Sequence, residues 1–476
     1  MELTEKKKNG IFITILVSNI ACGMLSTALT TALPQMMKDF GINSSTGQWM
    51  TSIYSLVMGI FTLAAPFVMK RISTRKLYLG LLALFMGGLL LSGCTSSFAV
   101  MMAGRVLQAA ANGVMVALGQ VMILTVFPAE KRGSVMGIYG LAIGAAPVVA
   151  PTLAGIIVDL FGWRMIFFAV LAVTVISFVM AFVTFADALE TAAAKLDILS
   201  LGLCSVGVCG LLLGAGNLGN SPFLSVSVLL PLVVGAIATW AFAHRQLTME
   251  DPFMELRILK VRKYRTAVIA SMILYSTVIA SSILLPLYIQ SVRGYSATVS
   301  ALVTMPGALA TALVSPVSGK LYDKSGMKRL FFWGALMLVI SNGGMIFVSE
   351  QFPLLLIGVL NVIRCIGIGC LMMPFVTWGM SGLEQKYTSH GTALLTSLRT
   401  VAGSFGSAVF VAVVNVGASA VEKSVAGAAG SGAAEEAASL AAQSTGMSVA
   451  FVGLTAIAVA ELLLGLWTFR KNSQTR

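Results

Sequence analysis

Gly319-Lys-Leu-Tyr-Asp323-Lys-Ser-Gly326-Met-Lys328-Arg329 is a short charged interruption between two long apolar stretches. Gly319 and Gly326 relax the backbone, and Asp323 is placed to cap the helix that follows. The cations hold the turn at a membrane surface. Outward from this segment the same alternation runs along all 476 residues, of which 57% are hydrophobic and 10% charged. About twenty consecutive apolar residues cross a bilayer's hydrocarbon core. Fourteen stretches reach that length: 11–33, 46–69, 77–97, 99–127, 134–158, 165–186, 198–216, 223–243, 266–290, 297–319, 330–349, 353–380, 390–418 and 447–469. This patterning predicts an all-α membrane protein.

The net charge of +13 is distributed in a telling way. An even number of spans places both termini on one side. With that side inside, 24 of the 31 Lys and Arg fall in inner segments. Four (Lys38, Arg164, Arg293, Lys423) fall outside, and three (Arg105, Arg364, Arg399) lie within spans. Inner loops of membrane proteins carry such an excess, so the charge reports orientation rather than a nucleic-acid partner. The expectation is a cell (inner) membrane location with both termini cytoplasmic. The first apolar stretch runs into Ala32-Leu33-Pro34-Gln35 and shows no cleavage site of a signal peptide. Six cysteines lie in apolar stretches without a CxxC and read as small apolar filler. His244 and His390 are too few for a His-rich metal site, and no P-loop or nucleophile elbow is present, so no metal, cofactor or ATP-driven step is expected.

Internal symmetry organises the chain. Shifted by 253 residues, the opening segment falls on Pro66-Phe-Val-Met-Lys70-Arg71-Ile-Ser73-Thr-Arg75-Lys76, and the basic pairs coincide. A weaker echo pairs Arg132-Gly133 with His390-Gly391. These repeats divide the chain into an N-terminal six-helix bundle (1–190), an inserted helix pair with a cytoplasmic linker (191–263) and a C-terminal six-helix bundle (264–476). Two related bundles around a central pathway suit alternating access. Residues 419–446, rich in Ala, Ser and Gly with Glu422, Glu435 and Glu436, read as an outer surface hairpin or mobile segment.

The opening segment matches G-x-L-x-D-[RK]-x-G-x-[RK]-[RK] and resembles the loop signature of the major facilitator superfamily. The resemblance implies that fold, two six-helix bundles with fourteen transmembrane helices in all, and gating loops at Lys70, Arg71, Arg75, Lys76, Gly319, Asp323, Gly326 and Arg329. The first copy departs from the family pattern, because Lys70 stands where an Asp is usual. Its gating ion pair is therefore missing or relocated. Arg105-Val-Leu-Gln108-Ala-Ala-Ala-Asn112-Gly113 is similar to the family's R-x-x-Q-G, whose Arg faces the cavity. Gly140, Gly144, Pro147, Pro151 and Gly155 resemble the antiporter helix; as bare chemistry they permit close helix contact and bending. Ala32-Leu33-Pro34 is similar to a segment of the fourteen-span drug:proton antiporter family 2. Many relatives carry an Asp just before it, where this chain has Met24-Leu25-Ser26-Thr27.

That missing acid bears on mechanism, since an embedded carboxylate is the natural proton carrier. Spans one to thirteen hold no deep Asp or Glu, which leaves Glu461, about 13 Å from the inner end of span fourteen by helix rise. The last helix of this fold is peripheral, so Glu461 is either the proton-coupling group or a glutamate facing the headgroups. Arg364 falls near the midplane and needs a partner such as carbonyls, water or an anionic substrate. Arg399, about 13 Å into its span, reads as a snorkelling residue. The substrate pathway is assigned to Asn19, Tyr54, Arg105, Gln108, Asn112, Tyr275, Asn361 and Arg364. The expected function is secondary active transport of a small amphipathic organic substrate by a monomer in the lipid bilayer, most simply proton-coupled multidrug efflux. A dedicated organic-anion (bile-acid-like) carrier is the first alternative, and a membrane-embedded enzyme or sensor the second.

Overall fold

Lipid offers peptide groups no hydrogen-bond partner, so each spanning segment satisfies them along its own helix. The computed structural model describes residues 4–42, 44–189, 191, 197–218, 224–250, 252–348, 352–425 and 432–471. Six helices come first: α1 (Glu5–Phe40), α2 (Ser44–Arg71), α3 (Thr74–Cys94), α4 (Phe98–Val126), α5 (Arg132–Phe161) and α6 (Arg164–Thr184). A pair follows, α7 (Ile198–Leu218) and α8 (Val226–Thr248). The last six are α9 (Arg262–Leu287), α10 (Ala297–Ser325), α11 (Met327–Gly344), α12 (Leu354–Met380), α13 (Thr388–Val425) and α14 (Gly432–Lys471). Among the described residues, thirteen of these carry a stretch long and apolar enough to cross a membrane. The remaining one, α5, has 30 residues and is about 45 Å long at 1.5 Å per residue. Large apolar side chains such as Val183 and Leu355, 73% and 82% exposed, face outward as a lipid-facing surface requires.

Within the first six helices, α1 packs on α5 and α6, α2 on α4, and α3 on α4 and α6. Within the last six, α9 packs on α12, α13 and α14, α10 on α12, and α11 on α12 and α14. The two groups meet along a seam formed by α5 with α10 and α12, and by α13 with α2 and α4. The α7–α8 pair attaches beside that seam, where α7 touches α2 and α13.

The decisive segment sits on this seam, and the structure corrects its reading in two respects. Gly319 lies inside α10 rather than in a turn. A methyl there would strike the Gly133 carbonyl of α5, so glycine is needed for close helix approach. Gly326, with φ of 69°, does make the turn. Asp323 caps not the following helix but α5: the backbone N–H groups of Gly133 and Ser134 donate to its two carboxylate oxygens at 2.8 and 2.7 Å. A negative charge at the start of α5 also complements its dipole.

A second correction concerns residues 419–446. They are largely helical, with α13 running to Val425 and α14 starting at Gly432, because alanine-rich sequence favours helix. Residues 426–431 lie outside the described residues, as do 219–223 of the expected turn between spans seven and eight. A methyl added at Gly155 would meet nothing within 4 Å, so this glycine makes no close contact; at Gly140 it would meet Ser315 and Met373. Gly319→Val should therefore lower the Tm of the detergent-solubilised protein by an amount reflecting roughly 1–3 kcal/mol of overpacking. Gly155→Val should leave it unchanged, and equal Tm values for the two variants would refute the close seam.

Candidate functional site

Among the described residues, three arginines lie buried inside the helix bundle without a carboxylate partner. Arg105 on α4 is 1% exposed. Its Nε donates to the Met50 carbonyl of α2 at 3.2 Å and its Nη1 to Gln108 Oε1 at 2.9 Å. Its Cζ sits 4.1 Å from the centroid of the Tyr54 ring. Gln108 continues the chain to the Gly88 carbonyl and Ser92 Oγ of α3, at 2.8 and 2.9 Å. Asn112 Nδ2 donates to the Tyr54 hydroxyl at 2.9 Å. The structure thus brings Tyr54, Arg105, Gln108 and Asn112 together as one network tying α2, α3 and α4.

Arg364 on α12 is equally buried. Its Nη2 donates to Asn361 Oδ1, and its Nη1 reaches the Met345 sulfur at 3.8 Å. Asn361 in turn donates to the Thr304 carbonyl of α10 at 3.3 Å. Asn19 is separate from both networks: its Nδ2 donates to the Ile15 carbonyl at 2.8 Å, and the Tyr139 hydroxyl of α5 donates to its Oδ1 at 3.4 Å.

Arg399 corrects the sequence reading. It does not snorkel to an interface but is 7% exposed, with Cζ 5.4 Å from the centroid of the half-buried Tyr275. Among the described residues its Nε has no acceptor. Tyr139 lies close enough for its hydroxyl to feel the charge. Sequence reasoning passed over Tyr139 altogether; the polar Thr396–Arg399 spacing within an apolar helix was the available signal.

Glu461 is also better enclosed than a peripheral helix implies. It is fully buried within the packed helices, not presented to headgroups. Among the described residues neither carboxyl oxygen has a hydrogen-bond partner. The ion pairs found there lie at helix ends and loops, such as Arg245–Asp197 at 3.0 Å and Lys386–Glu384 at 2.7 Å. Asp39 was missed as well: it accepts from Trp163 Nε1 at 2.7 Å and pairs with Arg164 at 3.4 Å, stapling α1 to the α5–α6 junction.

At the basic end, Arg71, Lys76 and Arg329 are exposed. Arg75 Nη2 donates to the Phe182 carbonyl at 2.7 Å, and its backbone N–H to Asp187 at 3.0 Å, which fastens the first loop to α6. A cavity of about 790 Å³ opens there between α2, α4 and the start of α13, with Lys70, Glu250, Glu255, Lys386 and His390 on its wall. On α5, Gly144 approaches Ala312 of α10, while the side chains of Pro147 and Pro151 lie outside the described residues.

A family model described as Major Facilitator Superfamily matches residues 15–407. The lincomycin resistance protein LmrB of Listeria monocytogenes is 33% identical over 409 residues, covering 85% of this chain and 87% of its own. The multidrug export protein EmrB of Escherichia coli is 25% identical over 395 residues, covering 81% of this chain and 76% of its own. The solved structure of the human organic anion transporter MFSD10 (TETRAN) aligns with a TM-score of 0.66 at 13% identity, over 97% of this chain and 100% of that one. That last likeness is one of fold alone. The chain belongs to the major facilitator superfamily and is a multi-pass membrane transporter, not an enzyme.

Removing Arg105 leaves the Met50 carbonyl and Gln108 without their donor and opens a hole beside Tyr54. Arg105→Ala should cost about 2–4 kcal/mol of stability. Tyr54→Phe, which keeps the ring and loses only the Asn112 bond, should cost about 1 kcal/mol. Denaturation midpoints of the two purified variants test the order; an Arg105→Ala protein as stable as Tyr54→Phe would dissolve the network.

Proposed function

We propose that this transporter exports amphipathic organic compounds across the cell membrane by alternating access, in exchange for protons. The likeness to a lincomycin resistance protein over 85% of the chain is the observation that carries the reading. The seam supports it physically. Two helix groups, which we divide at 1–190 and 264–476 with 191–263 as the inserted pair and linker, touch through glycine-lined surfaces, apolar side chains and one carboxylate cap. Such a contact can part as a unit, which rocking of two bodies requires. The pathway then runs between the groups, past Asn19, Tyr275 and the Arg105 and Arg364 networks. The protein works as a monomer in this reading.

Glu461 is the candidate proton group, because it is the one buried carboxyl among the described residues. The organic-anion alternative keeps a specific observation in its favour: three buried arginines with no carboxylate partner among the described residues. In inside-out vesicles holding a pH gradient, read by a quenched dye, lincomycin or ethidium should dissipate the gradient. Glu461→Gln should abolish that response while downhill movement of the drug persists. No dissipation by wild-type protein at verified expression sinks the exchange reading; dissipation unchanged in Glu461→Gln moves the proton site elsewhere.

The basic end is assigned to the cytoplasm, with both termini there. Cys94, exposed at the opposite end of α3, then faces outward. A membrane-impermeant maleimide should label Cys94 on spheroplasts. Labelling only after the membrane is opened reverses the assigned orientation.

A further inference from the structure

Buried polar atoms without partners gather at one place on the seam. Thr396 Oγ1 and Arg399 Nε, which share one face of α13, form no hydrogen bond with the described residues, and the carboxamide of Gln120 on α4 lies within hydrogen-bonding reach of Tyr139. The helices that carry them belong to different groups and touch across the seam. Gln120 neighbours Tyr139, and Tyr139 neighbours Arg399. Tyr275 packs against Gly403, one turn beyond Arg399, and lays its ring beneath the guanidinium. Arg105 and Arg364 differ from this arrangement, since each is held by groups of its own half. Among the described residues, Arg399 is the buried cation that is not held through hydrogen bonds by groups of its own half.

A guanidinium stays protonated at any working pH, so Arg399 cannot itself ferry a proton. A buried charge without a counter-charge is unfavourable, and a bidentate carboxylate or sulfonate is the group that best relieves it. A way in exists. The cavity at the basic end is lined by Val121 and Thr125 of α4 and by Ser389 and His390 of α13, and its mouth carries Lys70 and Lys386 as well as Glu250 and Glu255. Gln120 adjoins that wall, and Arg399 lies nine residues beyond His390, about 13 Å deeper along the helix.

We propose that the seam between α4, α5, α9 and α13 binds the anionic group of an amphipathic solute, with Arg399 as its cation and Gln120 and Thr396 as flanking donors. Tyr139 and Tyr275 then face the solute's apolar body. This rests on the export reading above and adds to its substrate class solutes bearing a negative charge, zwitterions included.

The test uses the purified full-length protein in phosphatidylcholine vesicles, which supply no anionic lipid to compete. Binding of tritiated cholate, an amphipathic carboxylate, is compared with that of tritiated tetraphenylphosphonium. Cholate should bind the wild type and Arg399→Lys, and about tenfold or more weakly to Arg399→Gln. Tetraphenylphosphonium should bind Arg399→Gln no worse than wild type. Thermal unfolding separates this from a structural role: Arg399→Gln removes an uncompensated charge, so its Tm without solute should equal or exceed that of wild type, while the cholate-induced rise in Tm is lost. Equal cholate affinity in wild type and Arg399→Gln overturns the proposal, and so does a strongly lowered Tm accompanying the loss. Wild-type protein that binds and carries tetraphenylphosphonium but not cholate overturns it and leaves the export reading standing. Wild-type protein that carries neither probe, nor lincomycin, removes the export reading and the proposal together.

Discussion

The first turn of every helix leaves backbone N–H groups without a partner of its own, and at α5 that need is met from another helix group. Asp323 of α10 accepts from Gly133 and Ser134, and glycines at 133 and 319 let the two backbones come close enough for it to do so. Much else is arranged around this contact. It sets the distance between α5 and α10, and α12 and α13 close the rest of the seam around them. It is a polar contact set in an apolar seam, since one hydrophobic core runs from the first helix group into α9, α12 and α13.

The internal repeat makes the contact lopsided. Where the second copy has Asp323, the first has Lys70, and a cation cannot cap a helix N-terminus. On the Asp323 side the helices are pressed together, whereas on the Lys70 side the cavity opens between α2, α4 and α13. The repeated motif thus sits at a closed helix contact in its second copy and beside a cavity in its first.

Spans and loop signature were legible because lipid enforces them: apolar runs of bilayer length have one stable outcome, and a charged turn between them has few. Residue pairing across the seam was not, since Asp323 and Gly133 are 190 positions apart and nothing local announces their meeting. Helix-rise arithmetic gave Arg399 a depth but missed its burial, because depth says nothing about which face of a helix meets protein. The same gap explains Glu461, whose enclosure depends on how neighbouring helices pack on α14. Residues 419–446 misled for another reason: small residues read as loop, yet alanine continues a helix already begun.

The continuation of α13 and α14 past the bilayer has a mechanical side. With 38 and 40 residues they are about 57 and 60 Å long, nearly twice a hydrocarbon core. They lie against each other and share one base, which carries Arg399 on one helix and Glu461 on the other. A stiff rod pivoting at its foot magnifies angle into travel: a tilt of about 10° moves the tip of a 57 Å helix by about 10 Å. The ends of this pair away from the basic face would therefore act as a pointer, enlarging into travel any rocking of the helix groups.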